Sequence, residues 1–333
     1  MFAAHIAAVG EYQEGGWRWL LATHGRASAI FTVLAGVSIA LMLSRSRGLN
    51  PVRHTRIRVA VRGVILIALG WILGDLGTPV DVILDNLGVM FFLALIALRW
   101  KPVVLIGVGA GVLLLGRELL APVVAAMPQW LYDAPLLHEL WGIHYPALIW
   151  IGYVLIGMGI GKLAPWRGAA LGWLAASGIA LAAVAYGIGA LLLTNAGEPV
   201  IWASIWPPPD QWFVVAAHSY SAPEMLGNVG VAMFTIAACC LLANWLPRVV
   251  WPFAAAGSMT LTLYSAHIVL IAIVGREIVY EPSNLAWIVL CVSCLVFASL
   301  WRWRLGQGPL ERVVTSASNG VAAFDELRVT PRA

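Results

Sequence analysis

Residues 24–43, HGRASAIFTVLAGVSIALML, decide what kind of protein this is. From Ala27 onward the run is apolar and uncharged, and a bilayer is crossed by about 20 such residues. Its two ends differ chemically. One carries His24 and Arg26 at the mouth of the helix; the other runs into a basic cluster, Arg45, Arg47, Arg53, Arg56, Arg58 and Arg62. One end is a candidate reaction site, and the other anchors the helix at a membrane face.

The rest of the chain repeats the pattern. Of its 333 residues 61% are hydrophobic and only 11% charged, and a mean hydropathy of +0.87 excludes a water-soluble globular domain. Further apolar runs of spanning length fall at 57–74, 82–98, 102–120, 144–163, 168–194, 222–245, 250–274 and 284–301. With 26–44 they make nine full spans. Met1 to Gly10 is apolar but too short to cross alone, and reads as the end of a truncated first helix. The expected fold is therefore an all-α polytopic membrane bundle of about ten transmembrane helices. With loop 45–56 cytoplasmic and alternating spans, only Arg18, Arg26, Arg117 and Arg276 of the 20 basic residues lie outside, so both termini are expected in the cytoplasm of a plasma-membrane protein. A bundle over 1–305 is expected, followed by a cytoplasmic tail, 306–333, interfacial or disordered. Membrane lipids are the expected surroundings; no nucleic-acid partner is expected, and oligomers are compatible with the sequence.

Several polar positions sit where lipid would penalise them. Ser28 and Thr32 share a helix face that continues to Gly36, where a neighbouring backbone can approach closely. Asp81 and Asp85 are also one turn apart, and Asp85 and Asn86 lie deep enough to need partners inside the bundle. Gly157 and Gly161 form a GxxxG suited to close helix contact. In SAPEMLGN, Ser221 has the position of an N-cap, Glu224 completes capping-box spacing, and Glu224 and Asn228 are one turn apart. The run GSMTLTLYSAH carries two polar stripes, Thr260, Tyr264 and His267 beside Ser258, Thr262 and Ser265, which is the pattern of a cavity wall.

The two histidines of HELWGIH, His138 and His144, are six residues apart, which does not put both on one helical face. Cys239, Cys240, Cys291 and Cys294 all lie in apolar runs and read as small core residues. No metal site is expected.

The segments THGRASAIFTVLAGVSIALML, HYPALIWIGYVLIGMGIGKL, HSYSAPEMLGNVGVAM, AAAGSMTLTLYSAHIV and GQGPLE resemble the bacterial membrane proteins grouped as DUF418, or YeiB-like. The front part, 1–165, is similar to the catalytic domain of heparan-alpha-glucosaminide N-acetyltransferase, and 166–312 is the DUF418-like part. The resemblance implies a transmembrane acyltransferase that uses cytoplasmic acyl-CoA, most simply acetyl-CoA, to acylate an extracytoplasmic acceptor. In the animal enzyme the catalytic histidine lies in the first non-cytoplasmic loop, before a span containing an Asp-Leu-Val-Phe-Pro-Trp-Phe pattern. That position falls on His24. This chain reads GRASAIFTV there, with Arg26 near the place of the acidic residue and no Pro-Trp. The broader superfamily carries a functional histidine at the end of its first span, which makes His5 the rival.

Either histidine suits the chemistry, because neutral imidazole can take a proton from an acceptor hydroxyl or amine near pH 7. A second group must stabilise the oxyanion that develops on the thioester carbonyl. Arg26, Asn86, Asn228 and Tyr264 have the right chemistry for it, with Asp85, Glu224 and His267 as further cavity residues. The arginines of 45–62 are candidates for the CoA phosphates, whose oxygens a guanidinium binds bidentately; the alternative is a topology signal at anionic lipid. A sugar or glycolipid acceptor is expected. The competing readings are a transporter or flippase for a lipid-linked or small polar solute, and a non-catalytic envelope partner.

Overall fold

The computed structural model of the protein describes residues 2–8, 17–46, 50–193 and 212–329. The helices in chain order are α1 (Phe2–Ile6), a 3-10 turn (Arg18–Thr23), α2 (Arg26–Arg45), α3 (Pro51–Gly74), α4 (Leu84–Ala97), α5 (Pro102–Ala125), α6 (Gln129–Tyr132), α7 (His138–Trp141) and α8 (Ala147–Leu163), then α9 (Gly168–Leu193), α10 (Ala222–Trp245), α11 (Pro247–Gly257), α12 (Thr260–Val274), α13 (Glu277–Tyr280), α14 (Asn284–Leu305) and α15 (Pro309–Val329). No strand occurs among the described residues. Among the described residues six helices, α2, α3, α5, α9, α10 and α14, are long and apolar enough to cross a membrane, and α11 with α12 makes a seventh if that bent pair is one span. The molecule is a multi-pass membrane protein.

Each run expected to span contains helix among its described residues, but two of the helices are short and one run is broken. α4 has 14 residues and α8 has 17. The expected span 250–274 bends by 64° between α11 and α12. At the break the Ser258 hydroxyl donates to the Ala255 carbonyl at 2.7 Å and so satisfies a group the helix would otherwise use. Met259 then leaves helical geometry at φ −135° and ψ 39°.

The chain forms two compact units. One comprises Gly25–Ile67 and Ile83–Cys240, and is organised around α8. Nearly every α8 residue is buried, as expected of a helix that is apolar all round. A Cβ on Gly36 of α2 would stand 2.1 Å from the Val154 carbonyl, and one on Gly157 of α8 would stand 2.0 Å from the Val33 carbonyl. Only hydrogen fits at either position, so α2 and α8 meet backbone to backbone. Gly109 of α5 and Gly152 of α8 repeat the device, since a Cβ on either would stand 2.8 Å from the other's carbonyl. Small residues give helices in lipid their close van der Waals contact.

The other unit comprises Met1–His24, Ala68–Val82 and Leu241–Ala333. Ala255, Met259, Leu263 and Ala298 form one core cluster. Ala3, Ala7 and Leu20 form another, packed on Trp287. Asn284 Oδ1 accepts Ala8 N–H at 3.0 Å, and the Ile6 carbonyl accepts Ser283 N–H at 3.0 Å. These bonds pin the short α1 to the start of α14, which Ser283 caps through Ala286 N–H. The tail, expected to be interfacial or disordered, forms α15. Its Glu311 carboxylate accepts the Thr262 N–H at 3.0 Å and the Thr262 hydroxyl, closing the first turn of α12.

Candidate functional site

The HSYSAPEMLGN block builds a buried polar network. Ser221 accepts Glu224 N–H at 3.2 Å, as an N-cap should. The Glu224 carboxylate does not turn back to Ser221 N–H. It reaches farther, to Tyr220 N–H at 2.9 Å, His218 N–H at 3.0 Å and the Ser219 hydroxyl at 3.1 Å. His218 and Tyr220 both lie at positive φ, 62° and 54°. This costly conformation aims their N–H groups at one anion and makes a backbone nest. Glu224 is only 5% exposed; its charge is compensated by four donors, the fourth being Asn228 Nδ2 at 3.2 Å.

Asn228 extends the network. Its Nδ2 also donates to Tyr153 Oη at 3.3 Å, and its Oδ1 accepts from Tyr186 Oη at 2.7 Å. Arg26 Nε donates to Tyr186 Oη at 3.0 Å, and its guanidinium lies over the Tyr186 ring, 4.9 Å from the centroid. Arg117, 3% exposed, donates to the Ser219 carbonyl at 3.4 Å. Beside these groups Tyr145, Trp150, Tyr153, His218 and Tyr220 form an aromatic cluster. Three of the expected site residues, Arg26, Glu224 and Asn228, are thus joined in one network. Tyr186 links two of them, and a tyrosine in a long alanine- and glycine-rich helix gives no sequence signal of that task. A buried arginine in α5 was the available signal for Arg117.

In the other unit, α1 and α12 bring two histidines together. His5 Nδ1 and His267 Nε2 are 3.1 Å apart, and the rings are stacked with centroids 5.3 Å apart at 14°. His267 is 1% exposed, with Tyr264 edge-on at 5.1 Å and Phe2 tilted at 4.7 Å. His267 Nδ1 and Ser265 Oγ are buried without a hydrogen-bond partner. His24 directly follows the 3-10 turn, half-buried, within electrostatic range of His5. Both candidate bases and the cavity residues Tyr264 and His267 therefore belong to one unit.

The remaining expected residues that are described, Asp85, Asn86 and the arginines of 45–62, belong to the unit organised around α8. Asn86 Nδ2 donates to Glu139 Oε2 at 2.7 Å, while Asp85 accepts Asn86 N–H at 2.9 Å. His138, in the HELW turn, pairs its Nδ1 with the Tyr132 carbonyl at 2.9 Å. In that turn, burial and then the Asp133 charge raise the Tyr132 phenol above its ordinary pKa. Arg45, Arg53 and Arg56 are exposed, and Arg58 and Arg62 are half-buried. Arg47 lies outside the described residues. The basic stretch is mostly helical: Asn50 caps α3 through Arg53 N–H at 3.1 Å, and His54, Arg58 and Arg62 follow at one-turn intervals along it. Among the described residues no three His, Cys, Asp or Glu side chains are grouped to hold a metal ion.

Comparison with known families adds two matches. Residues 2–193 match the family described as heparan-alpha-glucosaminide N-acetyltransferase, catalytic, and residues 180–320 match the family described as protein of unknown function, DUF418. No curated protein and no solved structure matches the chain.

Proposed function

Because the chain belongs to the heparan-alpha-glucosaminide N-acetyltransferase catalytic family, a transmembrane acyltransferase type, we propose that it moves an acyl group, most simply acetyl, from cytoplasmic acyl-CoA to an extracytoplasmic sugar or glycolipid. The observation that carries this reading is the meeting of His5 and His267 at 3.1 Å, with His24 in electrostatic range. It brings proton-transfer groups from the family-matched front of the chain to the polar helix α12. One of His5 and His24 takes the acceptor's proton as the nucleophile attacks the thioester carbonyl.

Donor binding falls to the basic face of α3. His54 Nδ1 and Arg58 Nε are buried there without a hydrogen-bond partner. Unsatisfied ring and guanidine nitrogens at one-turn spacing suit the phosphate oxygens of acyl-CoA, with Arg62 one turn further on. Ten crossings, with both termini and this basic face in the cytoplasm of a plasma-membrane protein, complete the reading.

The test is thiol release from acetyl-CoA by the purified protein in detergent, comparing wild type with His24→Ala and His5→Ala. Turnover lost in one variant and kept in the other supports the reading and chooses the base. Neither binding nor turnover of acetyl-CoA by the wild type overturns it.

One observation favours a second reading, transport of a lipid-linked or small polar solute. The pair α11 and α12 is broken by 64° beside a polar stripe, and discontinuous helices build the solute sites of many transporters. Solute flux in proteoliposomes without acyl-CoA consumption would select it.

A further inference from the structure

We infer that Glu311 is a positioning residue: from the tail helix α15 it holds the start of α12 and so keeps His267 at His5. The inference rests on the acyltransferase reading above, which needs those two imidazoles together, and adds to it the part of the chain that aligns them.

α12 begins at a break and has no cap of its own. Its N-cap residue is Met259, whose side chain makes no capping hydrogen bond and has no oxygen to make one with. The first N–H groups of a helix need acceptors from outside its own ladder. Glu311 supplies one from 49 positions away. Its Oε1 accepts the N–H of Thr262, the third residue of α12, at 3.0 Å, which is the bond an N-cap side chain ordinarily makes. Its Oε2 accepts from the Thr262 hydroxyl, and that hydroxyl in turn accepts Leu310 N–H at 3.1 Å. Three bonds thus join the first turns of α12 and α15. One carboxylate serves two helix N-termini, both of which favour negative charge.

The GQGPLE stretch, 306–311, is shaped for this contact. A Cβ on Gly308 would stand 2.5 Å from Met259 Cβ and 3.0 Å from Thr262 Oγ1, so only glycine lets the chain pass the break this closely. Pro309 opens α15, a position where its missing N–H is not needed, and places Glu311 in the first turn. Beyond it Val314, Ser318 and Ala322 are buried at one-turn spacing, so α15 is a packed brace.

The brace reaches the histidines through α12 and through Phe2. Thr262 and His267 lie on one helix, five residues apart. Met259 and Leu263, close to Thr262 in sequence, share a core with Ala255 and Ala298, against which Phe2 of α1 packs. The Phe2 ring also lies 4.7 Å from the His267 ring. α1 is fixed separately to α14, by the bonds of Ala8 to Asn284 and of Ser283 to Ile6. A shift of α12 at its first turn therefore moves His267 relative to His5. A displacement of about 1 Å ends a 3.1 Å hydrogen bond.

Two measurements on the full chain in detergent test the inference. Glu311→Ala removes both acceptors; Glu311→Gln is the conservative variant, since its amide can still accept Thr262 N–H and can donate to the Thr262 hydroxyl. The first measurement is nitrogen NMR with 15N-labelled histidine. The His267 signal, identified by its loss in His267→Gln, is expected to move in Glu311→Ala as it does in His5→Gln, and to keep its wild-type position in Glu311→Gln. The second is kinetic. Misplacing a reacting group by about 1 Å costs on the order of 100-fold. A kcat loss of that order is expected in Glu311→Ala, with KM for acetyl-CoA within about twofold and most of the kcat restored in Glu311→Gln. An unmoved His267 signal or an unchanged kcat in folded Glu311→Ala overturns the inference, and so does a Glu311→Gln as impaired as Glu311→Ala. If Glu311→Ala does not accumulate, Thr262→Val, which keeps the N–H bond and loses the other two, is read against the same outcomes. A wild type that releases no thiol defeats the acyltransferase reading, while the His267 signal still decides the positioning role.

Discussion

The Glu224 network and the His5–His267 pair are both buried polar clusters, and they differ in how completely their atoms are satisfied. Both carboxylate oxygens of Glu224 and both ends of the Asn228 amide are engaged. The histidine cluster leaves His267 Nδ1 and Ser265 Oγ without hydrogen-bond partners. A satisfied buried network is rigid and specifies one arrangement of its helices. A cluster with atoms to spare can still bond to something that arrives. On this contrast the Glu224 network ties α10 to α2, α8 and α9 as scaffold, and the proposed proton transfer falls to the histidines.

The sharpest way to break this division is Glu224→Ala. It removes the acceptor of the His218 and Tyr220 N–H groups, and a buried N–H left unpaired costs about 1–3 kcal/mol. A fall of about 2–6 kcal/mol is expected, read as loss of monodisperse protein on heating in detergent. A melting temperature equal to wild type would end the scaffold interpretation.

Gly157→Val is next. Its first side-chain atom meets the Val33 carbonyl, and overpacking of this kind costs about 1–3 kcal/mol or more. The expected outcome is poor accumulation of folded protein, with an intermediate effect for Gly157→Ala. A smaller effect, about 1 kcal/mol, is expected from Asn86→Leu, which takes one donor from Glu139; it would appear as a modest shift in melting with thiol release retained. Smallest is Ser265→Ala. The hydroxyl it removes has no partner, so stability should change by no more than about 0.5 kcal/mol. A drop in thiol release at unchanged stability would show that Ser265 meets the substrate and would sharpen the contrast between the clusters.

Much of the scaffold was legible because it is local. Ser221 as a cap and Glu224 with Asn228 one turn apart follow from helix periodicity. So does the close-contact surface of Gly36, since only glycine removes the side chain that would keep two backbones apart. The reading stopped where a local rule had two solutions. Glu224 has capping-box spacing, yet its carboxylate passes Ser221 N–H for those of Tyr220 and His218, because positive φ at both residues turns these donors toward it. The span 250–274 has the composition of one helix, but Ser258 and the tail carboxylate of Glu311 satisfy backbone or hydroxyl groups on either side of a break.

By itself the sequence determined the solvent, the helical runs and the histidines available for proton transfer, because hydrophobicity and helical period are properties of neighbours in the chain. Which histidines meet was decided only by the tertiary structure. His5 and His267 are 262 positions apart, and a 3.1 Å contact at that separation depends on α1 being fixed to α14 and on α12 being bent away from α11. Neither arrangement is encoded in the composition of the helices it joins.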